Sequence, residues 1–249
     1  MTLLVSFVSR FAMGLCAGLV LTPSGRVPAG FFRVNMLVVM GLCTLAALAA
    51  GGVASAWITG LLGAAGVGAW LASIAWGAGR SAGGMWLVMA TGLATAITTA
   101  SLAATGTDGL TVHSIVSSLV ALLSGLLVGL VVHAMLLGHW YLNAPGMSVE
   151  VLTAMIRWAL LVSAAVACVA TTAIGTLLAH SGDPVIATLA GLRWAAGIAG
   201  LPVLLVMALK TLEIPNTQSA TGILYVACLA AIVGELASQL LQTQLQRPI

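Results

Sequence analysis

The sequence predicts an all-α fold: a polytopic integral membrane bundle of about eight transmembrane helices. Three observations lead there. The chain is 61% hydrophobic and 5% charged, with mean hydropathy +1.18, whereas soluble domains carry about 25% charged residues. Apolar runs of about eighteen residues or more, enough to cross a bilayer, recur along its whole length. Glycine and proline punctuate the intervals between those runs. So few charges could not cover the surface of a water-soluble protein of this length. The net charge of +3 is too small to suggest nucleic acid, and the basic residues read better as topology signals.

The expected spans are Leu3–Leu21, Phe32–Ala50, Ala54–Trp76, Met85–Ala104, Ile115–Leu137, Val151–Leu178, Val185–Ala208 and Thr221–Leu241, in one transmembrane domain over 1–249. The first is read as a retained span rather than a signal peptide. It lacks a basic leading region, Arg10 interrupts it, and no small-x-small cleavage site follows. Pro23, Gly25 and Pro28 separate spans one and two, and Gly51-Gly52 makes a tight turn into span three. Gly77, Gly79, Gly83 and Gly84 precede span four, and Gly106 and Gly109 precede span five. Pro145-Gly146 divides five spans from three. Asp183-Pro184 suits the start of span seven, since Asp caps free N–H groups and Pro fits the first helical position. Pro215 separates spans seven and eight.

The odd-numbered connections carry Arg26, Arg80 and Lys210, while the even ones carry only Asp108 and Asp183. The positive-inside rule then places the odd connections in the cytoplasm and both termini on the non-cytoplasmic side, with Arg247 as the single exception. A prokaryotic cytoplasmic membrane is the expected location. Trp76, Trp86, Trp140 and Trp158 would form an aromatic belt at the cytoplasmic face. Gly14/Gly18 and Gly125/Gly129 have GxxxG spacing, and Gly60, Gly63 and Gly66 line one helix, so a tight bundle is expected. Cys16, Cys43, Cys168 and Cys228 all sit in apolar runs without metal-ligand spacing and read as packing residues.

The candidate site residues fall into two groups. The first is an intramembrane charge pair. Arg193 and Glu235 lie inside apolar runs, where a lone charge costs at least ~2.5–3.5 kcal/mol. They flank a connection centred near Glu213, about 20 residues before and about 22 after it, which at about 1.5 Å per residue is nearly one depth. An Arg193–Glu235 ion pair is therefore expected, with Arg10 at similar depth as the competitor. Pro202 lacks the N–H that would bond Ile198, so a kink is expected beside Arg193.

The second group is the stretch after span five: His133, His139, Trp140, Tyr141 and Asn143. Imidazole can ligate haem or face a quinone carbonyl, and Trp and Tyr anchor a helix at the interface. His133 and His139 are six residues apart, which on a straight helix is about 120° off a shared face, so they do not grip one metal together. His113 and His180 are expected near the opposite surface and do not match His133 in depth.

No nucleophile–base set, phosphate loop, dinucleotide fingerprint or HExxH occurs, so no soluble-type catalysis is expected. The first functional reading is a membrane-anchor or quinone/haem-handling subunit of a membrane redox complex, with haem or quinone as cofactor and other membrane or peripheral subunits as partners beside the lipid bilayer. The second is a small-solute or ion transporter working through the Arg–Glu pair. The third is a structural or assembly subunit without a ligand.

Overall fold

A computed structural model describes residues 2–52, 54–104, 111–144, 148–179, 182–214 and 216–245. Its elements are all helical: α1 (Thr2–Leu21), α2 (Ala29–Ala50), α3 (Ala56–Gly77), α4 (Ser81–Ala103), α5 (Val112–Asn143), α6 (Glu150–Thr172), α7 (Ile174–Ala179), α8 (Pro184–Leu192), a π-helical segment (Arg193–Gly200), α9 (Leu201–Glu213) and α10 (Thr217–Leu245). Taking Pro184–Glu213 as one span, eight of these are long and apolar enough to cross a membrane. Asp108, Pro145, Gly146, His180 and Pro215 lie outside the described residues.

Two helix ends and one kink differ from expectation, each for a local reason. α5 continues past Leu137 to Asn143, because nothing in His-Trp-Tyr-Leu-Asn breaks a helix; the expected interfacial cluster is its last turn. The sixth span stops at Thr172 rather than running to Leu178. There the hydroxyls of Thr171 and Thr172 donate to the carbonyls of Cys168 and Val169 at 2.6 and 2.7 Å, and such back-bonding competes with the helical ladder. The seventh span starts as expected, with the Asp183 carboxylate accepting from the Val185 and Ile186 N–H groups at 2.8 and 3.4 Å. Its expected kink takes another form. The π segment precedes Pro202, and the Leu201 N–H reaches back to the carbonyl of Ala196. One wide turn thus absorbs the irregularity that proline introduces, in a conformation often found at functional sites.

The helices group by neighbour into two halves with the same connectivity. In the first, α1 packs on α2, α2 on α3, α3 on α4, and α4 returns to α1. In the second, α5 packs on α6, α6 on α9, the α8–α9 span on α10, and α10 returns to α5. The halves meet chiefly where their first helices, α1 and α5, pack together, with α4 against α5 and α1 against α10 on either side. No sequence repeat announces this arrangement.

Glycine decides the α1–α5 contact. A Cβ on Gly14 would lie 2.2 Å from the Gly125 carbonyl oxygen, and one on Gly129 would lie 2.2 Å from the Gly14 Cα. A Cβ on Gly18 would meet the His133 ring at 2.6 Å. The two GxxxG pairs therefore serve one internal interface between two helices of the chain, with backbones in direct contact. A smaller version joins the π segment to α10, where a Cβ on Gly234 would stand 2.6 Å from the Gly197 Cα.

The outside of the bundle is aliphatic. Leu93, Leu161 and Leu229 are each more than 60% exposed, a surface suited to lipid rather than water. Trp86 and Trp158 are exposed, as a belt requires. Trp76 instead is core: it is buried and stacks on Phe32 with ring centroids 4.2 Å apart.

Candidate functional site

The buried charges converge where the two halves meet, near the end of the bundle that carries Thr2. Arg10 sits mid-way along α1, four residues before Gly14. Gly125 on α5 is so small there that a Cβ would lie 2.8 Å from the Arg10 Cβ. The arginine passes α5 and reaches α10. Its Nη1 donates to Glu235 Oε1 at 2.6 Å and to Ser124 Oγ at 3.3 Å. The side chains of Arg10 and Glu235 are 5% and 3% exposed, so the pair is shielded from screening and each partner depends on the other.

Glu235 also accepts from Gln239, one turn later on α10, at 2.7 Å. Because an ionised carboxylate only accepts, the amide nitrogen of Gln239 must face it, and the amide oxygen faces away. That oxygen is buried without a hydrogen-bond partner among the described residues, as is Arg10 Nε. Arg193, the first residue of the π segment, is buried and donates to Ser238 Oγ.

The expected Arg193–Glu235 contact is met in part: Arg193 lies within electrostatic reach of Glu235, but the direct salt bridge is another residue's. The salt bridge to Glu235 comes from Arg10, the residue named as competitor, and Arg193 bonds a serine three residues further along α10. Depth arithmetic put all three residues on one level but said nothing of azimuth, and the wide π turn shifts where Arg193 points. Arg193 and Glu235 do line one cavity of about 30 Å³, with Ser124 and Ser238, room for a water molecule or two. A larger recess of about 360 Å³ opens on the other side of the pair, at the Thr2 end, lined by Thr2, Ser6, Arg10, Gln239, Gln242 and Thr243 with the end of α4. Among the described residues, Arg10 is the one ionisable residue of that lining. Arg10 and Gln239 line the recess, and their partner Glu235 lines the inner cavity with Arg193.

The second candidate group divides. His133 is fully buried, and its Nε2 shares a 2.7 Å hydrogen bond with Thr22 Oγ1, which also bonds the Gly18 carbonyl at 2.8 Å. Phe31 meets both His133 and Trp140 edge-on, at centroid distances of 5.3 and 5.7 Å. Seven residues on a helix return nearly to one face, which is why these two rings share a neighbour. His133 Nδ1 and Trp140 Nε1 have no hydrogen-bond partner among the described residues. His139 points elsewhere: its Nδ1 is 3.2 Å from the Tyr225 hydroxyl on α10. Tyr141 donates to the carbonyl of Ser148, and Asn143 Nδ2 donates to the carbonyl of His139 at 3.2 Å. His133 and Trp140 are brought together; His139, Tyr141 and Asn143 each serve a separate contact. Among the described residues no group of three or more His, Cys, Asp or Glu is placed to hold a metal ion.

Sequence reasoning missed Ser124, Ser238 and Gln239. One signal was available: Glu235, Ser238, Gln239 and Gln242 follow i, i+3, i+4, i+7 spacing, a polar stripe on an otherwise apolar helix.

Fold and site together define a class: a helical bundle of membrane-spanning dimensions with an ion pair buried between two four-span halves. Comparison with protein-family models, curated proteins and solved structures gives no match.

Proposed function

We propose that the protein is a small-solute or ion transporter, and that the Arg10–Glu235–Arg193 cluster with its Gln239, Ser124 and Ser238 partners is its working site. One observation carries this reading. A buried, charged, hydrogen-bonded network lies across the junction of two four-span halves of like connectivity, with a polar recess on one side and a small cavity on the other. Intramembrane charges are functional candidates by default. Sites at the interface of two repeated halves are what rocking transporters use. A structural lock alone leaves unexplained the recess and the Arg10 Nε and Gln239 Oε1 atoms, which have no hydrogen-bond partner among the described residues.

The test is uptake of labelled solutes, cations and anions alike, into vesicles carrying the purified protein. Arg10→Leu combined with Glu235→Leu leaves neither charge unpaired, so the double variant is expected to fold while uptake falls at least tenfold. A folded double variant with full uptake would reduce the cluster to a structural lock.

The same reading places the odd connections, with Arg26, Arg80 and Lys210, on the cytoplasmic side, and the recess on the non-cytoplasmic side. A cysteine at Asp183 is expected to react with an impermeant reagent added outside cells, while one at Arg80 stays protected. The opposite pattern would invert the topology.

A second reading, a quinone- or haem-handling subunit of a membrane redox complex, is favoured by one observation: His133 Nδ1 and Trp140 Nε1 are buried around Phe31 with no hydrogen-bond partner among the described residues. An absorption spectrum and a quinone extraction of protein purified with its native partners test it. A Soret band or a bound quinone lost in His133→Leu supports the reading; neither signal removes it.

A further inference from the structure

We propose that the corner formed by Arg33, Gly77 and Arg80 binds the phosphate of an anionic diacyl phospholipid of the phosphatidylglycerol type. Two cations meet there. Arg33 lies one turn into α2 and is exposed. Its side chain runs along the last turn of α3. A Cβ on Gly77 would lie 3.5 Å from Arg33 Cδ and Nε and 3.7 Å from Cζ, so the bare glycine leaves the arm room against the α3 backbone. Gly79 then turns the chain with φ +73°, and the Arg80 N–H bonds the Ala75 carbonyl at 2.9 Å. Arg80, also exposed, is thereby held at the same end of α3.

The chain offers this corner no carboxylate. Among the described residues the salt bridges are Arg10–Glu235 and Arg26–Glu150, and the side chains of Arg33 and Arg80 make no hydrogen bond. The sequence holds five acidic residues. Two are in those bridges. Asp183 caps α8 and Glu213 ends α9, both in the second half. The fifth, Asp108, follows Ala103 by five residues, at most ~18 Å of chain. The length of α4 sets Ala103 about 33 Å from Arg80. An anion for the corner therefore comes from outside the chain.

The surroundings indicate its source. Val34, Leu37 and Val38 on α2 and Leu71 and Ile74 on α3 are exposed, and they continue both helices inward from the two arginines. A phosphate held by the guanidinium donors, which suit its oxygens, would leave its acyl chains lying along these side chains. Basic residues at the ends of membrane spans are where anionic headgroups are recognised. A soluble anion would meet the same two cations and make no use of the aliphatic face.

The experiment titrates the purified full chain, stripped of lipid in a nonionic detergent, with dioleoyl phosphatidylglycerol, dioleoyl phosphatidylcholine and inorganic phosphate. Binding is followed by native mass spectrometry and by melting temperature. Phosphatidylglycerol is expected to bind roughly thirtyfold tighter than phosphatidylcholine, as two cations at a membrane surface would give. Arg33→Gln combined with Arg80→Gln should bring the two lipids within about twofold, with melting in detergent alone unchanged because both side chains are exposed. Arg157→Gln combined with Lys210→Gln removes two other exposed charges from the same end and should leave the native preference within about twofold. If both double variants lose the preference alike, net charge attracts the lipid and the site inference fails. Equal binding of the two lipids by the native chain overturns it as well. Stabilisation by inorganic phosphate equal to that by phosphatidylglycerol would make the ligand a soluble anion and overturn the lipid assignment.

Discussion

Glu235→Gln is expected to lower the stability of the purified protein by about 3–5 kcal/mol, the usual cost of removing one partner from a buried pair. The change keeps the volume and shape of the side chain, so the loss reports charge rather than packing. Arg10 would stay buried with Ser124 as its remaining neutral partner. Gln239, whose amide now donates to the carboxylate at 2.7 Å, would face an amide instead. Arg10→Leu should be nearly as costly, because it strands the carboxylate. The Arg10→Leu/Glu235→Leu double variant should recover most of the loss, since apolar replacement of a whole buried pair is often neutral or better. Thermal melting of the three variants checks this. Additive losses in the double variant would mean that the two side chains do not depend on each other.

The same cycle at Arg193 separates the corrected pairing from the one read off the sequence. Arg193→Leu should destabilise through loss of its bond to Ser238, and Glu235→Leu should not rescue it as it rescues Arg10→Leu. Rescue equal to that of Arg10 would restore Arg193 as the principal partner of Glu235.

What the sequence made legible follows from what its signals encode. Hydropathy over about twenty residues is a one-dimensional property, and a bilayer demands it of every span; eight spans could therefore be counted directly. Depth is nearly as accessible, because rise per residue is fixed, and it placed Arg10, Arg193 and Glu235 on one level. Azimuth is not encoded that way. Which arginine meets Glu235 depends on the path of Arg10 past Gly125, opened by the absence of a side chain, and on a π turn that no residue of Arg193–Gly200 announces by type. The two-half arrangement was hidden for a related reason. It lies in which helices are neighbours, and lipid-facing helices of similar composition do not say which neighbour they take. The divergence of His133 and His139, by contrast, was legible, because six helical residues set them about 120° apart: one faces Phe31 and the other Tyr225.

The second large effect concerns the seam between the halves. Gly129→Ala should cost about 3 kcal/mol or more, at or above the upper end of overpacking penalties. The added methyl would lie 2.1 Å from the Gly14 carbonyl carbon and 2.2 Å from its Cα. These are backbone atoms, which cannot rotate aside as a side chain would, so α1 and α5 must separate along their length. Separation would also loosen the grip of Gly18 on the His133 ring, and it would disturb Arg10, which passes α5 at Gly125 on its way to Glu235 on α10. Gly60→Ala and Gly63→Ala on α3 are the controls. A Cβ at either position meets nothing within 4 Å, and alanine favours a helix over glycine by up to about 1 kcal/mol, so both should be neutral or slightly stabilising. Melting temperatures of the three variants, measured in one detergent, decide the matter. If Gly129→Ala melts with the controls, the halves are not held by direct backbone contact, and the charge cluster is then their principal link.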